Sequence, residues 1–279
     1  MRGKLFKWST EAYTINMFIF ISFFILGLII GSFLNVLVYR LKDAETLLGR
    51  SFCRNCKHQI RWYDNIPLVS FLLLRGACRD CETKISWQYP TLEFLTGIIF
   101  ALIGYFFFSP EIAFSFVETG WLLVLVSCLL VIGAYDLRYM EIPLSLLIVS
   151  VCLTYVFFLS TFFLFPEAFY SSQLWYGLLG GSVVCGFFFF LVWLSHETWM
   201  GWGDVWLGFV AGSVVGLPLI LPMLTLSFGL GAVVGLISIA YKKKGLKSQI
   251  PFAPFLVAGV ILILFLPKIF PVFSQFLFL

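Results

Sequence analysis

Charge is what this sequence has least of. Asp, Glu, Lys and Arg make up 11% of its 279 residues, while 61% are hydrophobic. Soluble domains carry about 25% charged residues. A chain this poor in charge cannot cover a water-facing surface, so lipid must be its main solvent. Histidine is scarce as well, with two in the chain. His196-Glu197 would begin an H-E-x-x-H zinc-protease signature only with a second histidine at position 200, and that residue is Met200. The pair lies beside Trp199 and reads as an interfacial pair near an aromatic belt. The sequence contains no G-x-S-x-G, no P-loop, no dinucleotide fingerprint and no internal repeat of the transporter kind. Those absences remove the serine-hydrolase, nucleotide-hydrolase and Rossmann classes.

What is present is a series of long uncharged runs, at 14–39, 94–110, 119–135, 142–166, 168–195, 205–241 and 248–267. A membrane-spanning helix needs about 20 mostly apolar residues. The run at 205–241 is too long for one span and carries Pro218 and Pro222 near its middle. Proline disfavours a continuous helix there, so the run divides into two spans. The expectation is an all-α polytopic membrane protein of about eight transmembrane helices. Its parts are an N-terminus and first helix (1–39), a polar, zinc-knuckle-like loop with four cysteines between helices 1 and 2 (40–91), and a seven-helix membrane core (92–279). Arg2, Lys4 and Lys7 before the first run imitate a signal peptide. The run itself is too long for an h-region and lacks a small-residue cleavage pattern, so a retained first span is expected.

Of the 18 Lys and Arg, nine lie between Arg40 and Lys84 and four in Lys242–Lys247. The positive-inside rule places both segments on the cytoplasmic side of the membrane. Their positions after the first and seventh spans agree in parity. Glu111, Glu118 and Glu167 then fall outside, as do Arg2, Lys4 and Lys7, which oppose the rule and are outweighed. Acidic residues are mixed into the basic segments, which argues against nucleic-acid binding.

This topology brings Asp136, after span three, and Asp204, at the start of span six, to the same cytoplasmic face. By itself an aspartate at a helix end is a solvated cap favoured by the helix dipole. Carboxylates at membrane level are costly, however, and tend to be functional. Gly201 and Gly203 are expected to leave the backbone near Asp204 open to an approaching peptide. Two carboxylates held close share one proton. The ionised one can activate water, and the protonated one can donate to a scissile carbonyl.

Cys53-Arg-Asn-Cys56 and Cys78-Arg-Asp-Cys81 form two C-x-x-C pairs separated by 21 residues. That is one beyond the usual zinc spacing of about 15–20. Disulfides are the alternative, but a cytoplasmic loop is reducing. Four thiolates leave no open coordination position, so a zinc ion here would be structural. Cys128, Cys152 and Cys185 lie within spans and read as packing residues. Gly208, Gly212 and Gly216 recur on one helix face, as do Gly231 and Gly235, and small residues at this spacing allow close helix packing. Such faces are expected to admit a substrate helix laterally, and leucine at Gly208 or Gly212 should then slow turnover.

These residues resemble a known family. Gly31-Ser-Phe-Leu-Asn-Val-Leu-Val-Tyr-Arg40, Asp64-Asn-Ile-Pro-Leu-Val-Ser through Cys81, the double C-x-x-C loop, Asp136 with its following Ile142-Pro143, Gly201-Trp-Gly-Asp204 and Ile250-Pro-Phe-Ala-Pro-Phe255 are similar to signatures of type IV prepilin peptidases. The resemblance runs from about residue 27 to about 260. It implies a membrane aspartic endopeptidase with Asp136 and Asp204 as the catalytic dyad. The substrates would be prepilins and pseudopilins of pilus, secretion or DNA-uptake systems, cut after a glycine at the cytoplasmic edge of the membrane. It also implies N-methylation of the new terminus with S-adenosylmethionine, for which no residue is assigned. A peptidase without methylation and a pilin-binding factor without activity are the alternatives. Two positions depart from the family pattern: Leu144 stands where Asp is frequent, and Trp206 where Lys is frequent. By that pattern Leu144 removes a support for the dyad and Trp206 a cation that tunes it or contacts substrate, so activity with altered substrate choice is expected.

Overall fold

The structure is a computed structural model that describes residues 2–43, 46, 49–164, 168–241 and 250–270, apart from the side chains of 2–13, 113 and 168–173. The basic segment Lys242–Lys247, Glu167 and the side chains of Arg2, Lys4 and Lys7 lie outside the described residues.

Nine α-helices are described, and among the described residues there is no β-strand beyond two isolated bridges. They are α1 (Arg2–Asp43), α2 (Val69–Leu73), α3 (Gln88–Phe107), α4 (Ala113–Tyr139), α5 (Leu144–Leu164), α6 (Ala168–Ser195), α7 (Trp202–Val215), α8 (Ile220–Ala240) and α9 (Ala253–Ile269). Apart from the five-residue α2, each matches one of the eight expected spans. Six are long and apolar enough to cross a membrane, while α7 and α9 are shorter apolar helices. The α7 helix has 14 residues. At about 1.5 Å per residue it reaches about 21 Å, less than the roughly 30 Å hydrocarbon core.

The division of the 205–241 run falls where proline and glycine put it. Gly216 takes a φ of 76°, open to glycine without strain, and ends α7. Pro218 sits in the short 3₁₀ turn that follows. Pro222 lies in the first turn of α8, where an N–H has no helical partner to lose.

The chain forms two compact units, Met1–Ser127 and Cys128–Leu279. In the first, α1 packs along α3. A Cβ at Gly27 would stand 2.6 Å from the Thr96 carbonyl oxygen, and one at Gly31 would stand 2.7 Å from the Glu93 Cα. Only glycine permits that approach. The Asn35 side chain, fully buried on α1, donates to the carbonyls of Gly31 (3.3 Å) and Tyr89 (3.2 Å). Tyr39 stacks on Tyr89 at 5.3 Å, and the Arg54 guanidinium lies 4.0 Å over Tyr39. Buried Arg40 donates to the carbonyls of Thr46 and Arg50. The Gly31–Arg40 signature is therefore a packing surface and the root of the polar loop.

In the second unit, α6 and α7 meet through glycine on both sides. A Cβ at Gly212 would press on the Gly180 carbonyl, and one at Gly208 on the Phe188 ring. Tyr155 of α5 shares a 2.9 Å hydrogen bond with Ser213 of α7. Two sequence expectations need correction. Gly216 serves a turn, and at Gly231 and Gly235 the nearest neighbours of a Cβ are 3.4 and 3.6 Å away, ordinary contact distances. The face carrying Gly208 and Gly212 is filled by α6, so no substrate helix enters there. Gly177, Gly180 and Gly181 on α6 are the partner half of the seam, and each would clash if given a Cβ.

Gly212→Leu is expected to cost more than the roughly 1–3 kcal/mol of ordinary overpacking, because the obstacle is backbone. Gly231→Leu should cost much less. Thermal unfolding in detergent measures both. Equal melting temperatures would show that α6 and α7 do not pack through Gly212.

Candidate active site and metal centre

Both aspartates fall at helix ends in the second unit. Asp136 lies in the last turn of α4 and is 6% exposed. Its Oδ2 accepts the backbone N–H of Ala253 at 3.1 Å. Ala253 is the first residue of α9, so Asp136 satisfies one of the N–H groups that a helix start leaves without a partner. Pro254 backs the same join, with its Cα 3.5 Å from a Cβ built at Gly133. Past Asp136 the chain leaves α4 at once. Met140 adopts a φ of 54° and donates its N–H to the Asp136 carbonyl at 2.9 Å. Ile142-Pro143 then leads into α5.

Asp204 lies in the first turn of α7. Its Oδ2 accepts the backbone N–H of Gly201 at 3.2 Å. This is half of a capping box, since Gly201 has no side chain to return the bond. The two aspartate segments adjoin, since the Ile142 side chain that follows Asp136 lies against Gly203, the residue before Asp204. The structure thus brings together two aspartates that are 68 positions apart.

Gly201 and Gly203 turn out to differ. Nothing lies within 4 Å of a Cβ at Gly201, which is open as expected. At Gly203 a Cβ would meet the Ile142 side chain at 3.0–3.3 Å. Gly203 therefore makes a joint: the Ile-Pro after the first aspartate packs on the glycine before the second. The loop ahead of α7 is held by Glu197, which accepts the Trp202 Nε1–H at 2.6 Å. His196 and Glu197 both take positive φ, at 49° and 63°. Leu144 and Trp206 project outward, 62% and 54% exposed.

Sequence reasoning missed what Ile250–Phe255 does. Phe252 caps α9 and packs on Phe188 (5.7 Å) and Phe228 (4.9 Å), joining α6, α8 and α9. Phe188 is fully buried and also presses on Gly208. This cluster fixes the helix start whose N–H holds Asp136. A backbone donor leaves no residue-type signal, and only the Pro-x-x-Pro spacing around Ala253 marks a helix start.

The four cysteines of the first unit also converge. The Sγ atoms of Cys53, Cys56, Cys78 and Cys81 all lie within 4.8 Å of one another, and all four thiols are free. Cys53 Sγ and Cys81 Sγ are 3.8 Å apart. That is far from the roughly 2.05 Å of a disulfide. It equals the edge of a tetrahedron with about 2.3 Å zinc–sulfur bonds, about 3.8 Å. The two halves repeat each other. Cys53 N–H donates to the His58 carbonyl and Cys78 N–H to the Thr83 carbonyl, both at 2.9 Å. Lys57 and Glu82, each just after the second cysteine of its pair, take φ of 59° and 55°. Each knuckle closes with one bridge, Phe52 to Gln59 and Ala77 to Lys84. The donor set fits zinc.

Arg79 grips Asp64 in a two-point ion pair, Nε to Oδ2 at 2.9 Å and Nη2 to Oδ1 at 2.6 Å. The guanidinium holds the Asp64 carboxyl below its usual range. A depressed carboxyl stabilises the fold above its unfolded pKa of about 3.9 and loses that contribution as pH falls through the folded value. Arg79 is 44% exposed, so solvent screening limits the pair to about 1 kcal/mol or less. Asp64→Asn should flatten the acid limb of the thermal stability curve below about pH 4. An unchanged limb would show that the pair contributes nothing.

Two family models match the chain: the Bacterial Peptidase A24 N-terminal domain over residues 25–107 and the Type IV leader peptidase family over residues 123–236. The prepilin leader peptidase/N-methyltransferase of Stutzerimonas stutzeri is 30% identical over 277 residues, covering 90% of this chain and 92% of that protein. The protein of the same name from Bacillus subtilis (strain 168) is 31% identical, covering 86% and 91%. The type 4 prepilin-like proteins leader peptide-processing enzyme of Escherichia coli O78:H11 is 31% identical, covering 88% and 93%. No solved structure matches the chain. With an aspartate at each of two helix ends and near-complete coverage by these relatives, the chain belongs to the type IV leader peptidase family.

Proposed function

We propose that the protein is an aspartic endopeptidase of the cytoplasmic membrane. It removes the basic leader from prepilins and pseudopilins of pilus, secretion or DNA-uptake systems and then N-methylates the new terminus. What supports this reading is that Asp136 and Asp204 each sit at a helix end and accept one backbone N–H, on segments that adjoin where Ile142 meets Gly203. The pair shares one proton. The ionised carboxylate takes a proton from water as it attacks the scissile carbonyl, and its protonated partner donates to the carbonyl oxygen.

The substrate's basic leader stays in the cytoplasm by the positive-inside rule. The scissile bond then lies where leader meets helix, and the dyad is proposed to act at that cytoplasmic boundary. Open backbone at Gly201 leaves room for an extended peptide beside Asp204. Exposed Leu144 and Trp206 replace polar groups and bias substrate choice toward apolar flanks. Cys53, Cys56, Cys78 and Cys81 would hold a structural zinc ion, which folds the polar loop without entering the reaction. S-adenosylmethionine is the proposed methyl donor, supported by the names of the relatives.

The test is a purified, liposome-reconstituted protein incubated with a model prepilin, with and without S-adenosylmethionine. Mass spectrometry should find cleavage at the leader junction in both cases and one added methyl only with the donor. Cleavage without methylation reduces the protein to a peptidase. No cleavage of several pilin-like substrates overturns the reading.

A further inference from the structure

The polar loop carries an apolar face that its four-cysteine module does not use. In α2, Val69, Leu72 and Leu73 are 48%, 75% and 78% exposed, while Ser70 is buried. Positions i, i+3 and i+4 form one stripe of a helix. Trp87, at the N-cap of α3, is 74% exposed.

Two contacts fasten this short helix to the spanning helix α3. The Phe71 ring packs on Trp87 at 5.1 Å. The Leu68 N–H, just before α2, donates to Glu93 Oε2 at 2.9 Å. Glu93 lies five residues inside α3, about 7.5 Å along its axis. The start of α2 is therefore held beside the first turns of a membrane span, since a helical side chain reaches back toward the N-terminus of its helix. Leu68 adopts a φ of 59° at this point, a strained turn that the Glu93 bond sustains. The apolar stripe is continuous with the lipid-facing side of α3: Phe94, seven residues on from Trp87, and Leu95 are 47% and 45% exposed. Arg61 and Arg75, both exposed, flank the segment in sequence.

We infer that α2 is an interfacial anchor whose Val69, Leu72 and Leu73 lie in the headgroup boundary of the bilayer, tying the four-cysteine module to the membrane surface. The occupant of the stripe is lipid, because an apolar stripe fastened to the end of a span, beside exposed Trp87, Phe94 and Leu95, lies where the span enters the bilayer. Trp87 at the end of α3 is a member of the same aromatic belt. The inference rests on the membrane-spanning reading of α1 and α3 and is independent of catalysis.

The test uses the full chain in lipid nanodiscs, labelled with 5-fluorotryptophan, in the L72W and L73W variants. Each variant adds one ¹⁹F resonance at an exposed position that tolerates a larger apolar group. A spin label on the lipid headgroup should broaden the new resonance strongly in both variants, and a water-soluble gadolinium chelate should broaden it several-fold less. Broadening by the chelate alone, meaning water, overturns the anchor. So does broadening by neither agent, meaning the stripe is covered by protein.

Discussion

Replacing Asp136 or Asp204 with asparagine is expected to lower prepilin cleavage by about 1,000-fold or more, within the range for loss of a general acid or base. Asparagine keeps the size of the side chain and an oxygen that accepts a hydrogen bond. At 136 it can still receive the Ala253 N–H, and at 204 the Gly201 N–H. Both variants should therefore fold and melt close to wild type. What they lose is the shared proton. The double variant should be little worse than either single one, because groups acting as a unit are not additive. Cleavage rates in liposomes, with thermal unfolding as the folding control, measure this. Full activity in either folded variant removes the dyad from the mechanism.

The second large effect concerns the four cysteines. Wild-type protein is expected to carry one zinc ion per chain, and Cys53→Ser with Cys56→Ser to carry none. Structural zinc sites of this kind contribute on the order of 10 kcal/mol to folding their small domains. The two knuckles have almost no apolar core of their own, only single bridges and turns. Loss of the metal should therefore melt the knuckles at 52–59 and 77–84 and expose them to trypsin, while α2 and the spanning helices persist. Metal analysis and limited proteolysis are the readouts. Unchanged protease resistance in the metal-free variant would show that the loop folds without zinc.

Much of this was legible in the chain before folding. Long uncharged runs mark the spans because unpaired backbone in lipid is prohibitive, which makes each apolar run a helix. The run at 205–241 broke where Gly216 and Pro218 permit, although α7 came out shorter than a full span. C-x-x-C spacing located the four-cysteine cluster, since two knuckles of matching turn geometry carry their shape locally. The glycine stripes were read less well. Spacing alone made Gly208, Gly212, Gly216, Gly231 and Gly235 look alike, but what a glycine does depends on the atom facing it. The Gly180 backbone faces Gly212, and nothing closer than 3.4 Å faces Gly231.

By itself the sequence determined the solvent, the helix list, the four-cysteine centre and the two candidate aspartates, because each rests on composition or on neighbours a few residues away. The tertiary structure alone decided that the Ala253 N–H holds Asp136, that Ile142 closes on Gly203, and that α2 is pinned beside α3. Those joins are made by backbone groups and shape between distant segments, and neither leaves a periodic trace along the chain.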